Sequence, residues 1–246
     1  MLPKLERALA LAGLEAGEEH PWSGSPRRAL VWAAEAGARA VQLDATAAGI
    51  RPRELEPSAR RDLAATLRRA GMDCAGLDLF IPPAHFTDPT KVDRAVTAVL
   101  QAVELCADLS RLASNRLVLS TQLPADTPED VLSRLALSAE HHGVSIADHA
   151  WPPRAPRAGL GQGIDPAAIF ISGGDPIAGL STLGGPPLAA RLSDVSAVGR
   201  CLPGSGRLET QAYEPMLFTA GFTGRLVIDL RGLPRQQQAA ATLLSP

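Results

Sequence analysis

"ARLSDVSAVGRCLPGSGRLETQAYEPMLFTAGFTGRLVIDLRG", residues 190–232, holds two short apolar runs, and each stops at an aspartate. Asp194 closes "ARLSD" and Asp229 closes "LVID", with a glycine-rich loop and a helix-like stretch between them. Short apolar strands that alternate with helical patterns argue for a parallel sheet with helices outside it. The same alternation runs outward from this stretch. Helical patterns fall at 25–38, 56–71, 88–109, 127–143, 174–185 and 234–244, with Ser58 and Thr127 as N-caps of the second and fourth. Strand-like runs fall at 39–44, 73–80, 115–121, 144–148 and, more weakly, 161–165.

With 8–14 as a first strand, the count reaches about eight βα units, the usual content of a closed β/α barrel of this length. The expected architecture is a single (β/α)8 TIM-type barrel over 1–246. An open doubly wound sheet is the alternative. It loses support because no GxGxxG follows an early strand and no GxxxxGK[ST] occurs. The proline-rich "AWPPRAPRAGLGQG", 150–163, lies where the fifth helix belongs and reads as a loop replacing it.

Bulk properties narrow the function. Apolar residues make up 46% of the 246 and charged ones 20%, with a formal net charge of −2. No concentrated basic face points to nucleic acid or an anionic membrane. No apolar run approaches the length of a membrane span. Three widely spaced cysteines, Cys74, Cys106 and Cys201, fit a reducing compartment better than a disulfide frame. The opening residues read poorly as a signal peptide, so a cytoplasmic location is expected.

Six strand-like runs end at or near an aspartate: Asp44, Asp78, Asp148, Asp165, Asp194 and Asp229. In a parallel barrel all these ends meet at one face, where barrel enzymes keep their chemistry. Gathered carboxylates repel one another unless a cation sits among them. A divalent metal is one such cation. Arginine is another, and Arg191, Arg200 and Arg231 lie in the same segments. Helix capping competes with a site role for Asp44, Asp194 and Asp165. Asp148 and Asp229 have less capping to do and are favoured for the site.

The stretch 190–232 resembles the last third of the sugar phosphate isomerase/epimerase superfamily, the xylose isomerase-like barrels. There a strand ending His-x-x-Asp leads into a Pro/Leu-Gly-x-Gly loop, a helix with an "aGF.G" end and a strand with a terminal Glu. "GIDPAAIFISGGDPIAGL" and "RRALVWAAEAGARAVQLD" resemble earlier units of the same family. The likeness is strongest over 161–232 and weaker over 25–110. The resemblance implies a divalent metal (Mn²⁺, Mg²⁺ or Zn²⁺) held by Glu, Asp, His or Gln, and Glu, the two Glu also moving protons between neighbouring sugar carbons. Carried over, the first Glu falls on Asp148, the Asp on Asp165, the His on Arg191 and the last Glu on Asp229. Asp148, Asp165 and Asp229 are thus the metal candidates, and Asp148 with Asp229 the acid–base pair.

Arg191 departs from that pattern, because a guanidinium is always protonated and has no lone pair to give a metal. It can instead neutralise the aspartates itself through bidentate hydrogen bonds. The other outcome is a metal site that recruits Asp194, His149 or water.

Around the site, Arg191, Arg200, His85 and Trp151 are candidates for substrate contact. An exposed loop histidine and a packing tryptophan are the plainer readings of the last two, and Trp22 is weighed in the same way. The loop "GRCLPGSGRL", with Arg200 or Arg207, could hold a phosphate or be a plain glycine turn. His141 and His142 suit a helix C-terminus and nothing more.

The reading is therefore an isomerase or epimerase acting on a small sugar, sugar phosphate or polyol by proton transfer. The alternative is a non-catalytic sugar-binding or scaffold barrel that has lost its metal. Nuclease chemistry on abasic DNA ranks last, since it needs several zinc-binding histidines. A homodimer is among the expected assemblies.

Overall fold

The structure, a computed structural model, describes residues 5–245. Eight parallel strands close into a barrel: β1 (Arg7–Ala10), β2 (Ala40–Asp44), β3 (Asp73–Asp78), β4 (Val118–Thr121), β5 (Ser145–Asp148), β6 (Leu160–Ile164), β7 (Ala189–Leu192) and β10 (Leu226–Ile228). Closure rests on β1 pairing with β10, Leu9 opposite Ile228, and with β2, Leu9 opposite Val41. The strand read at 8–14 therefore exists, and it is short.

Side-chain alternation divides each strand between two environments. Leu9, Val41, Leu43, Leu119, Ile146, Ile164, Leu192 and Ile228 face the surrounding helices and are fully or almost fully buried. Each such side chain contributes about 1.5–3 kcal/mol of hydrophobic burial. Ala8, Ala10, Ala40 and Val227 form a separate small cluster on the lumen side.

The helices are α1 (Pro26–Glu35), α2 (Pro57–Arg69), α3 (Val92–Ala113), α4 (Glu129–His141), α5 (Pro166–Ile171), α6 (Pro176–Leu180), α7 (Thr210–Thr219) and α8 (Gln236–Leu244). Two of the expected caps move. Glu56 holds the cap position of α2 without a side-chain bond, because Pro57 at the first turn already sets the entry φ, and Ser58 lies inside the helix. Pro128 holds the cap position of α4, while the Thr127 hydroxyl donates back to Pro124 O at 2.7 Å. The start of α3 is later than expected, since the Asp88 carboxylate accepts from Thr90 and holds a turn there.

Residues 149–159, between β5 and β6, carry turns and an Arg157–Leu160 bridge but no helix. Gly159, at φ +77°, permits this close approach: a side chain there would strike the α4 backbone at Ala136. Two elements had no counterpart in the sequence reading. One is the span of α5, although the capping role weighed for Asp165 is observed at its start. The other is the antiparallel hairpin of β8 (Asp194–Ser196) and β9 (Gly199–Cys201).

Candidate active site

Three aspartates and three arginines meet at the C-terminal end of the barrel. Asp78 ends β3, Asp165 follows β6, Arg191 sits in β7 and Asp229 follows β10. Each has the lumen-facing parity of its strand, opposite to the leucine or isoleucine beside it. Arg191 is 5% exposed and lies at the centre. It donates to Asp78 and to Asp165, both at 3.0 Å, and stands 3.9 Å from Asp229. Arg200, on β9, reaches Asp229 at 3.1 Å and Asp165 at 3.4 Å. Arg231 donates through Nε to Asp229 at 3.0 Å and through its amino group to Asp78. Ser193 Oγ donates to the other oxygen of Asp165 at 2.6 Å.

The charges balance, three against three. Burial pushes the Asp78 and Asp165 carboxyls upward, but the guanidinium of Arg191 opposes it, joined by Arg231 at Asp78 and Arg200 at Asp165. Both carboxyls are held below the ordinary carboxylate range. Burial works against the charge of Arg191 as well, and Asp78, Asp165 and Asp229 outweigh it, so its pKa is raised. The backbone beneath Arg191 is anchored by the buried Tyr213, whose hydroxyl donates to Arg191 O at 3.1 Å.

His149 lies beside this network, 3% exposed, with neither ring nitrogen hydrogen-bonded among the described residues. Burial pushes its pKa down to about 3, and Arg191 adds to the effect, so the ring is neutral at working pH. Gly163 makes room for it: a Cβ there would lie 2.6 Å from the ring.

Of the candidates read from sequence, Asp165, Asp229, Arg191 and Arg200 come together. Asp148 does not join them. It shares the parity of Ile146 and so faces out of the lumen, where its Oδ1 accepts from Leu123 N and Ala150 N, both at 3.0 Å. Its Oδ2 is 3.5 Å from Arg154. The expected metal set of Asp148, Asp165 and Asp229 is therefore split between the two faces of the barrel wall. Burial raises the Asp148 carboxyl above its ordinary value.

His85 lies half-buried in the Pro83–His85 turn after β3 and makes none of the network's hydrogen bonds. The Trp151 ring packs over Gly174 and Gly179, pinning the proline loop to α6. Trp22 packs edge-on against Trp32 and donates to Glu15 O at 2.8 Å. Asp44 accepts from the Thr46 amide and hydroxyl, a local turn.

Asp194 is occupied differently. Its carboxylate accepts from five backbone N–H groups, those of Val195, Gly204, Gly206, Arg207 and Leu208, at 2.7–3.0 Å. The amides of the glycine-rich loop thus already enclose an anion, supplied by the chain itself. The sequence marks Asp78 only as a strand-end aspartate, Arg231 only as a nearby cation and His149 only as an alternative metal ligand, and it does not single out Ser193. Position at a strand end marked Asp78, and lumen parity would have marked the others.

The donor set does not fit a divalent metal. Every network carboxylate is engaged by guanidinium groups, and no group of three or more His, Cys, Asp or Glu side chains among the described residues is arranged to hold an ion.

No protein-family model matches the chain, and no curated protein matches it. Solved structures do. A xylose isomerase domain protein from Planctomyces limnophilus superposes with a TM-score of 0.74 at 15% identity, covering 98% of this chain and 95% of that one. A xylose isomerase-like TIM barrel protein from Mycobacterium smegmatis, in complex with magnesium, gives 0.72 at 10% identity, covering 98% and 94%. A D-tagatose 3-epimerase-like protein gives 0.68 at 14% identity, covering 98% and 96%. At these identities the likeness speaks for the fold alone, and that fold is the (β/α)8 TIM barrel.

Proposed function

We propose that the chain is a sugar isomerase/epimerase-like barrel that binds a small sugar or polyol at its C-terminal mouth, with a guanidinium in place of the divalent metal. One observation carries this reading: Arg191, at 3.0 Å from both Asp78 and Asp165, fills the centre of the carboxylate cluster. Arg200 and Arg231 have their other edges partly open to solvent, with side chains 18% and 24% exposed, so they can meet ligand hydroxyls. Carboxylates held as anions by guanidinium groups are poor bases toward a C–H bond. Binding without turnover follows.

A second reading keeps the isomerase chemistry without a metal. It rests on Asp148, whose carboxyl burial raises and whose Oδ2 makes no hydrogen bond among the described residues, with Arg154 3.5 Å away; a carboxyl kept protonated suits a general acid. The three free cysteines support a reducing, cytoplasmic setting. No helix among the described residues is long and apolar enough to cross a membrane.

The test combines two measurements on the purified chain. Metal content is read by mass spectrometry after exposure to Mn²⁺ and Zn²⁺, with Asp165→Ala as control. A panel of pentoses, hexoses and their phosphates is then incubated with the protein in D2O. The expected result is saturable ligand-dependent thermal stabilisation, no bound metal, and no deuterium at carbon. One metal per chain, lost in the control, overturns the guanidinium reading. Deuterium incorporation abolished by Asp148→Asn replaces the first reading with the second.

A further inference from the structure

The opposite, N-terminal end of the barrel contains a cavity of about 670 Å³, within the range of small-molecule sites. It exists because the lumen wall is built from small side chains there. Ala75 and Val227 line it, with Ala8 and Ala40 in the same lumen-side cluster. Gln42 projects from β2 into this space and is 2% exposed. Its amide nitrogen donates to Ser120 Oγ at 3.1 Å, and its Oε1 has no partner among the described residues. Turning the amide over only exchanges which of its ends is unpaired, so one polar end of this cavity-lining side chain is left without a partner either way. Buried polar groups in native proteins are nearly always satisfied. A ligand group would satisfy this one.

The charges of the lining set the class of ligand. Arg225 pairs with Glu6 at 2.9 Å and with Asp73 at 2.6 Å. Arg116 has no carboxylate partner among the described residues and donates to Ser145 Oγ at 3.3 Å. Two cations thus stand against two carboxylates, and the inner wall is uncharged. Hydroxyl groups, which both donate and accept, match an orphan amide end beside the Ser120 and Ser145 hydroxyls.

We infer that the N-terminal mouth is a second binding site, for an uncharged, polyhydroxylated small molecule, with Gln42 as its inner anchor. This site is independent of the reading given for the C-terminal mouth.

The experiment is a titration of the full 15N-labelled chain with D-xylose, D-glucose and myo-inositol, followed by 1H–15N spectra. Saturable shifts of the Gln42 side-chain amide and the Ser120 and Ser145 backbone amides are expected with at least one probe. Gln42→Met, near-isosteric and checked by thermal melting, weakens that binding about tenfold. Ser120→Ala, a smaller change, weakens it in the same direction. Shifts confined to Arg200 and Arg231 overturn the inference while supporting sugar binding at the other mouth. Shifts at the Ser145 amide that titrate with undiminished affinity in both variants overturn it too, as does the absence of any shift up to the solubility limit of all three probes.

Discussion

Replacing Arg191 with methionine keeps most of the side-chain length and removes the central charge. Three buried carboxylates then face two guanidinium groups, both at the rim. Removing one partner of a buried pair costs about 3–5 kcal/mol. At about 2–4 °C per kcal/mol for a chain of this size, the melting temperature falls by roughly 10 °C. The pH dependence identifies the cause. In the parent, Asp78 and Asp165 are held below the ordinary range. Their contribution is therefore fully present above the unfolded carboxylate pKa of about 3.9 and is lost only as pH falls through the folded values. In the variant, Arg200 and Arg231 must serve three buried carboxylates between them, so burial of at least one carboxyl outweighs the remaining opposition. Its folded pKa rises above the unfolded value, and its penalty grows as pH rises. Removing Arg191 also lifts one of the charges that depress His149, which favours the variant at low pH. The cost of Arg191→Met should thus be larger at pH 7.5 than at pH 5. Urea unfolding of parent and variant at both pH values measures it. A cost under about 1 kcal/mol, or one equal at the two pH values, would refute the placement of Arg191 as a buried counter-charge.

Arg191→His removes the guanidinium and supplies an imidazole beside Asp165 and Asp229. Mn²⁺ is expected to raise the melting temperature of this variant and leave the parent unchanged, a shift that thermal melts with and without EDTA detect. Asp194→Ala strips the acceptor from five loop amides and should cost about 3 kcal/mol or more, with faster hydrogen exchange at Gly204, Gly206, Arg207 and Leu208. His149, with a folded pKa of about 3, binds its proton in the unfolded chain first. Stability therefore falls as pH drops below about 6.5, by up to about 1.4 kcal/mol per unit. His149→Gln should flatten the profile between about pH 6.5 and pH 4, measured by urea unfolding across that window.

The strand–helix alternation was legible because each strand needed a helix-facing apolar side. Ile146, Ile164, Leu192 and Ile228 provide it, and their spacing carries the fold. The gathering of aspartates at one end was legible for the same reason, since strand ends in a parallel barrel share a face. What failed to emerge was the direction of each side chain. In "VSIAD", Ile146 faces the helices, so Asp148 two residues on must face them too, and His149 turns inward instead. Reading parity before chemistry would have replaced Asp148 by His149 and raised Asp78. The hairpin of β8 and β9 was hidden by its length: three residues per strand leave no periodic pattern. Its purpose is local, since it carries Arg200 back over the mouth to Asp165 and Asp229.

Charge arithmetic explains why an arginine can stand where a metal is expected. Three clustered carboxylates need compensation, and a divalent ion leaves one negative charge over. Arg191 alone leaves two, so the exchange works only with Arg200 and Arg231 arriving from β9 and the segment after β10. Each added guanidinium bridges two carboxylates: Arg200 joins Asp165 to Asp229, and Arg231 joins Asp229 to Asp78. With Arg191 joining Asp78 to Asp165, the three bridges close a ring. A ring of this kind fixes each carboxylate in two directions, as a metal would. It supplies no exchangeable coordination position. What it offers a ligand is a set of fixed donors at the rim, which is the chemistry of recognition and not of Lewis-acid activation.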